Sequence, residues 1–151
     1  MAARKGNLEI IKVLLKSGAN LNIASNDGMT PLIIASNTGN INVITLLLSA
    51  KADISIADKM NFTSLTHAAS QGHNKACEIL ISSGAAIDGN INGPTPLLFA
   101  VMNQNESLAR LLLKSGANPQ AKVRLPNGTE TSPLEVAKKY EYKNLQAIME
   151  R

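Results

Sequence analysis

The stretch "TPLIIASNTGNINVITLLLSAKAD", residues 30–53, carries a complete set of start and stop signals for two consecutive helices. Thr30 is a hydroxyl N-cap able to satisfy an orphan amide, and Pro31 occupies the first helical position, where a missing N–H costs nothing. Ala35 lies one turn in, where a small side chain lets a neighbouring helix approach closely. Gly39 suits the left-handed residue that ends a helix, and Ile41, Ile44, Leu47 and Leu48 then recur at helical spacing.

The same signals recur along the chain. "TPLIIA" at 30–35 aligns with "TSLTHA" at 63–68, "TPLLFA" at 95–100 and "SPLEVA" at 132–137, in steps of 33, 32 and 37 residues. A second phrase keeps the same phase: "LLKSGAN" from Leu14, "LLSAKAD" from Leu47, "LISSGAA" from Leu80 and "LLKSGAN" from Leu112. Caps therefore recur at Thr63, Thr95 and Ser132, prolines at Pro96 and Pro133, and close-approach alanines at Ala68, Ala100 and Ala137. Gly72 ends a first helix as Gly39 does, and Gly18, Gly84 and Gly116 end second helices. Lys51 stands in the glycine slot of one second helix, and Gln104 and Glu141 in those of two first helices. Each should cost on the order of 1 kcal/mol if the left-handed backbone is kept.

A period near 33 residues with T-P-L-x-x-A, a following glycine and L-L-x-x-G-A-[ND] strongly resembles the ankyrin repeat over essentially the whole chain. The resemblance implies an all-α repeat solenoid: stacked helix-turn-helix ankyrin repeats with projecting β-turn or hairpin tips. "AARKG" at 2–6 matches "AASQG" at 68–72, so the expectation is a single domain, 1–151, of about five units: 1–22, 23–55, 56–88, 89–118 and 119–151.

The resemblance also implies a function. In that family the partner protein lies in a concave groove lined by the tips and the exposed face of the first helices. Carried over position by position, the tips place Asn26, Asp27 and Met29, then Lys59, Met60 and Phe62, then Ile91, Asn92 and Pro94. The helix face places Arg4 and Lys5, Asn37 and Thr38, Ser70 and Gln71, Met102 and Asn103, and Lys139 and Tyr140. Met60 and Phe62 are large apolar residues in a short polar turn. Either Phe62 folds down to buttress the neighbouring tip, or the pair joins Met29 and Met102 in a displayed apolar strip, since Met and aromatic residues are enriched at interface cores.

The longer 37-residue step holds "NPQAKVRLPNGTETSPL". Pro126, Asn127 and Gly128 signal a tight hairpin, so this tip should extend beyond the others, with Lys122, Val123, Arg124 and Leu125 projecting as a second contact. Arg124 joins the candidate contacts.

Catalysis finds little to work with. The two histidines and single cysteine cannot make a structural zinc site of usual spacing. His67 reads as a partly buried hydrogen-bonded residue and Cys77 as core on an apolar helix face, and the resemblance implies a structural histidine at His73, after Gly72. Asp53, Asp58 and Asp88 suit turns and caps near repeat boundaries. No P-loop, dinucleotide fingerprint or nucleophile elbow occurs. The reading is a noncatalytic protein-binding module without cofactor or metal; the alternative is the target-recognition segment of a larger enzyme or host-directed effector.

Composition agrees with helices: among 151 residues 44% are hydrophobic and 3% aromatic, and the apolar mass is Leu, Ile and Ala. The net charge of +4 concentrates at the ends, with Arg4, Lys5, Lys12 and Lys16 against Glu9 in residues 1–22. This fits weak attraction to acidic partners but supplies no continuous basic stripe, so nucleic acid is a minor expectation. A lone cysteine permits no internal disulfide, and Asn61, Asn105 and Asn127 read as unglycosylated. No apolar run approaches a membrane span. The expected setting is the cytoplasm, or a host cell's cytosol for an effector, and the expected form a monomeric array. The last unit is polar enough on its outer face to be a terminal cap, whereas the start, lacking a tip and half a repeat, leaves room for more chain upstream.

Overall fold

The computed structural model describes residue 3 and residues 7–90, 93–125 and 128–150. Nine helices run through them: α1 (Leu8–Lys16), α2 (Pro31–Asn37), α3 (Ile41–Ser49), α4 (Ser64–Ser70), α5 (Asn74–Ser82), α6 (Pro96–Met102), α7 (Glu106–Lys114), α8 (Pro133–Lys139) and α9 (Lys143–Met149). A two-stranded hairpin, β1 (Val123–Arg124) and β2 (Glu130–Thr131), precedes α8.

Each first helix begins where the repeated cap residue predicts. The hydroxyl oxygens of Thr30, Thr63 and Thr95 accept from the amides of Ile33, Thr66 and Leu98 at 3.3, 3.2 and 3.1 Å. Ser132 accepts from the Glu135 amide while the Glu135 carboxylate accepts from the Ser132 amide, a reciprocal capping box. Ala35, Ala68, Ala100 and Ala137 are fully buried. Without side-chain bulk there, the first helices of successive pairs pack more closely than the second helices do. The stack therefore curves toward the first-helix side.

The left-handed slots are kept even where glycine is missing. Lys51, Gln104 and Glu141 have φ of 66°, 52° and 56°. Around Lys51, its amide donates to the Leu48 carbonyl and the Ala52 amide to the Leu47 carbonyl, both at 3.0 Å, repeating the bonds of Gly18 and Ala19 to Leu15 and Leu14. Backbone hydrogen bonding holds the lysine in a glycine's geometry. Asn61, with φ 62°, is a further left-handed residue.

Successive tips are bonded to one another. The Lys59 amide donates to the Asp27 carbonyl at 3.1 Å, and a Cβ on Gly28 would lie 2.9 Å from the Lys59 nitrogen. Loops at the opposite end of the helices are also tied, the Asp53 amide donating to Asn22 Oδ1 and the Asn118 amide to Asp88 Oδ1. The Asp53 carboxylate accepts from the Ser55 amide, Asp58 from the Met60 and Phe62 amides and Asp88 from the Asn118 amide, the turn and boundary work expected of them. Cys77 is fully buried, and burial pushes its thiol pKa up to about 12.

One expectation for the long tip is corrected. β1 and β2 pair antiparallel, Val123 with Thr131 and Arg124 with Glu130, and the Leu125 amide donates to the Thr129 carbonyl. Strand alternation sends Val123 into the core at 5% exposure, and Leu125 packs half-buried against it. Lys122 is bonded to the Glu135 carboxylate and holds it below the usual carboxylate range. Lys122 and Arg124 are the exposed members of this limb, and Lys122 is engaged with Glu135. Pro126 and Asn127 lie outside the described residues.

Candidate functional site

The concave side is assembled from four positions that recur relative to each cap. One turn into the first helices stand Ile34, His67 and Phe99, all half-buried, and the fully packed Val136. Three residues on stand Asn37, Ser70, Met102 and Lys139, followed by Thr38, Gln71, Asn103 and Tyr140. Immediately before the caps stand Met29 and Phe62.

An apolar strip forms where the third tip meets α6. Phe62 is half-buried, its ring 5.3 Å from the His67 ring and 5.5 Å from the Phe99 ring, tilted at 55° and 59°. It buttresses the tip against the next repeat, as the first of the two readings has it. Met60, two residues away, is 69% exposed, and Met102, one turn beyond Phe99, is 52% exposed. Phe62 and Phe99 thus form a packed aromatic pair, with the exposed Met60 two residues before Phe62 on the tip and the exposed Met102 three residues after Phe99 on α6. Phe99 was missed from sequence; its signal is the cap register, which places it three residues before Met102 on the same helical face.

Beside the strip lies a polar network that fixes the tip. Asp58 Oδ1 accepts from the amides of Met60 and Phe62 at 2.8 and 3.0 Å, and Oδ2 lies 2.8 Å from His67 Nε2. His67 Nδ1 is 3.2 Å from Asn37 Oδ1 on the preceding first helix. Asp58 and His67 are both screened from solvent, at 6% and 13% side-chain exposure. A histidine–carboxylate pair here orders the backbone under Met60 and Phe62. The free thiol is buried among second-helix residues, so it supplies no nucleophile to this pair. Among the described residues no group of three or more His, Cys, Asp or Glu side chains is arranged to hold a metal.

The remaining candidates divide by exposure. Asn26, Asp27, Thr38, Lys59, Gln71, Asn103, Arg124, Lys139 and Tyr140 face solvent, with the Lys139 ammonium 5.5 Å above the Tyr140 ring and Tyr140 stacked on Tyr142. Asn37 and Ser70 are half-buried and already engaged: the Asn37 carbonyl lies 3.2 Å from His73 Nε2, and the Ser70 carbonyl accepts from Asn103 Nδ2 at 3.0 Å. His73 also packs on Gly39, where an added Cβ would sit 2.8 Å from its ring. Met29 is half-buried and lines a cavity with Leu21, Ile23 and Ile34, away from the Phe62–Phe99 contact. Arg4, Lys5, Ile91 and Asn92 lie outside the described residues.

With stacked helix pairs, tied tips and a curved first-helix face in place, the comparison with known families is direct. The model described as ankyrin repeats in three copies matches residues 1–58 and again 50–123, so the chain belongs to the ankyrin-repeat family. Ankyrin repeats are as a class protein–protein interaction modules. No curated protein matches the chain. Among the described residues no helix is long and apolar enough to cross a membrane.

Proposed function

We propose that the chain is a noncatalytic, monomeric array that holds a partner protein against its concave side, centred on Met60, Phe62, Phe99 and Met102. The observation that carries this reading is the strip itself: two large, flexible apolar side chains more than half exposed, beside a floor of packed aromatic rings. Well-packed aromatic anchors with adaptable neighbours are what interface centres are made of. Solvent-facing Gln71, Asn103, Lys59 and Tyr140 supply a polar rim. The buried free thiol of Cys77 fits a reducing compartment, and we place the protein in the cytoplasm.

The test compares Met60→Ser combined with Met102→Ser against Lys75→Ser, an exposed second-helix position on the far side, where Lys75 pairs with Glu78. Partner captured by the intact array should be lost in the first variant and kept in the second. The urea midpoint of both should stay close to wild type, since exposed substitutions usually shift stability by less than about 0.5 kcal/mol. Stronger loss with Lys75→Ser would put the partner on the convex side.

A further inference from the structure

The sulfur atoms of the described residues divide by exposure. Cys77, the single thiol, is fully buried on α5, and burial pushes its pKa up to about 12, so it offers a peroxide neither a thiolate nor a path. Met149 is 7% exposed and Met29 is half-buried. Met60 and Met102 are the open thioethers, at 69% and 52%. Both stand in the middle of the stack, Met60 on the tip between α3 and α4 and Met102 as the last residue of α6. The repeats supply a contrast. At the position of Met102 the other first helices carry Asn37, Ser70 and Lys139, and at the position of Met60 the neighbouring tips carry Asp27 and Asn92. The fold therefore requires no apolar side chain at either place.

A thioether needs no deprotonation to react with a hydroperoxide. Its sulfur lone pair attacks the terminal peroxide oxygen, an S–O bond forms as the O–O bond breaks, and the proton of that oxygen passes to the departing alkoxide or hydroxide. Sulfur is oxidised by two electrons to the sulfoxide, and the peroxide is reduced to an alcohol or water. The sulfoxide sets a strong dipole and hydrogen-bond acceptor where a partner would meet an apolar side chain, and burying it unpaired is unfavourable. The support beneath stays as it was. Asp58 holds the Met60 and Phe62 amides and faces His67, and Phe62 packs on Phe99 ring to ring, with no part taken by either sulfur. We propose that Met60 and Met102 are hydroperoxide-modification sites whose sulfoxides release the partner protein held at the groove, an inference that rests on the groove reading above.

The test treats the intact array with hydrogen peroxide and follows each methionine by peptide mass mapping. Met60 and Met102 should gain one oxygen at least about tenfold faster than Met149, and Cys77 should stay reduced. The binding probe is the protein that the intact array retains from a cell extract and the Met60→Ser with Met102→Ser variant does not. Its affinity should fall by at least about tenfold at full conversion of the two methionines, and return after treatment with the two epimer-specific methionine sulfoxide reductases. The urea midpoint should stay at its untreated value throughout. Met60→Leu with Met102→Leu, which keeps the apolar bulk, should retain the probe both before and after peroxide. Four results would overturn the proposal and leave the groove reading standing: conversion of Met60 and Met102 no faster than that of Met149, retention that survives their full conversion, loss of the probe from the Leu variant on peroxide treatment, or a urea midpoint that falls in step with conversion. If no protein distinguishes the Ser variant from the intact array, the groove reading itself fails and takes the proposal with it.

Discussion

Lys51 holds a backbone conformation that its side chain does nothing to favour. It is solvent-exposed with φ 66°, in a slot that elsewhere holds Gly18, Gly84 and Gly116. Lys51→Gly should therefore raise stability by about 1 kcal/mol, read as a higher urea midpoint at unchanged slope. Ser36 is the converse, a fully buried hydroxyl whose Oγ has no hydrogen-bond partner among the described residues. Its equivalent in α4 is the buried Ala69. Ser36→Ala should remove a desolvation cost of about 1 kcal/mol or more and stabilise the protein by the same urea assay. Cys77 titrates near 9.0 when unfolded and near 12 when folded, so the folded state favours the neutral thiol. Its contribution is complete below pH 9 and should be lost at about 1.4 kcal/mol per pH unit above it. Wild type should therefore lose stability relative to Cys77→Ala as pH rises from 9 toward 12. Lys51 and Cys77 were placed by sequence, because the period supplies a reference at each slot, whereas the burial of Ser36 was not read from it. Asn61 was not placed, although Gly28 and Gly93 stand in the same slot two residues before the neighbouring caps. The signal was there, outside the two phrases that define the period.

At the scale of elements, caps and glycine slots were legible because each is a local chemical requirement met by one residue. The tip between α3 and α4 was not, because its order comes from residues far apart in sequence. Asp58 accepts two amides of its own turn and faces His67, which in turn reaches Asn37, 30 residues back. Nothing in the spacing announces that triple use of one carboxylate. The hairpin before α8 shows the same limit: a hairpin was expected there from sequence, while the facing of Val123 followed from its register with Thr131. Asp58→Ala should cost about 2 kcal/mol or more, since it strands two amides and an imidazole. Because Asp58 and His67 act together, a double-mutant cycle with His67→Ala should show a coupling of about 0.5 kcal/mol or more. An additive cycle, measured by urea unfolding, would mean that the pair does not hold the tip.

Across the whole molecule, stability in a stack is a sum of unit and neighbour terms, so the ends open before the middle. The two ends here are unequal. At the C-terminal end, α9 buries Leu145 and Met149, Gln146 Nε2 donates to the Ala137 carbonyl at 2.8 Å, and Glu150 pairs with Lys138. Asn144 adds a bond to the Glu106 carboxylate, and the Ser132–Glu135 box secures α8. At the other end α1 buries Ile11 while Ile10, Val13 and Leu14 stay open to solvent. Native-state hydrogen exchange should therefore show α1 amides opening first, α9 next, and α4 and α6 last, near the global unfolding free energy. The expected spread is about 2 kcal/mol or more between α1 and α6, because several core-type side chains on α1 lack the burial that their equivalents have. Protection of α1 equal to that of α6 in the protein alone would mean that something already covers Ile10, Val13 and Leu14 in solution. In that case dilution should restore the early opening if the cover is a second copy, and leave it unchanged if it belongs to the same chain.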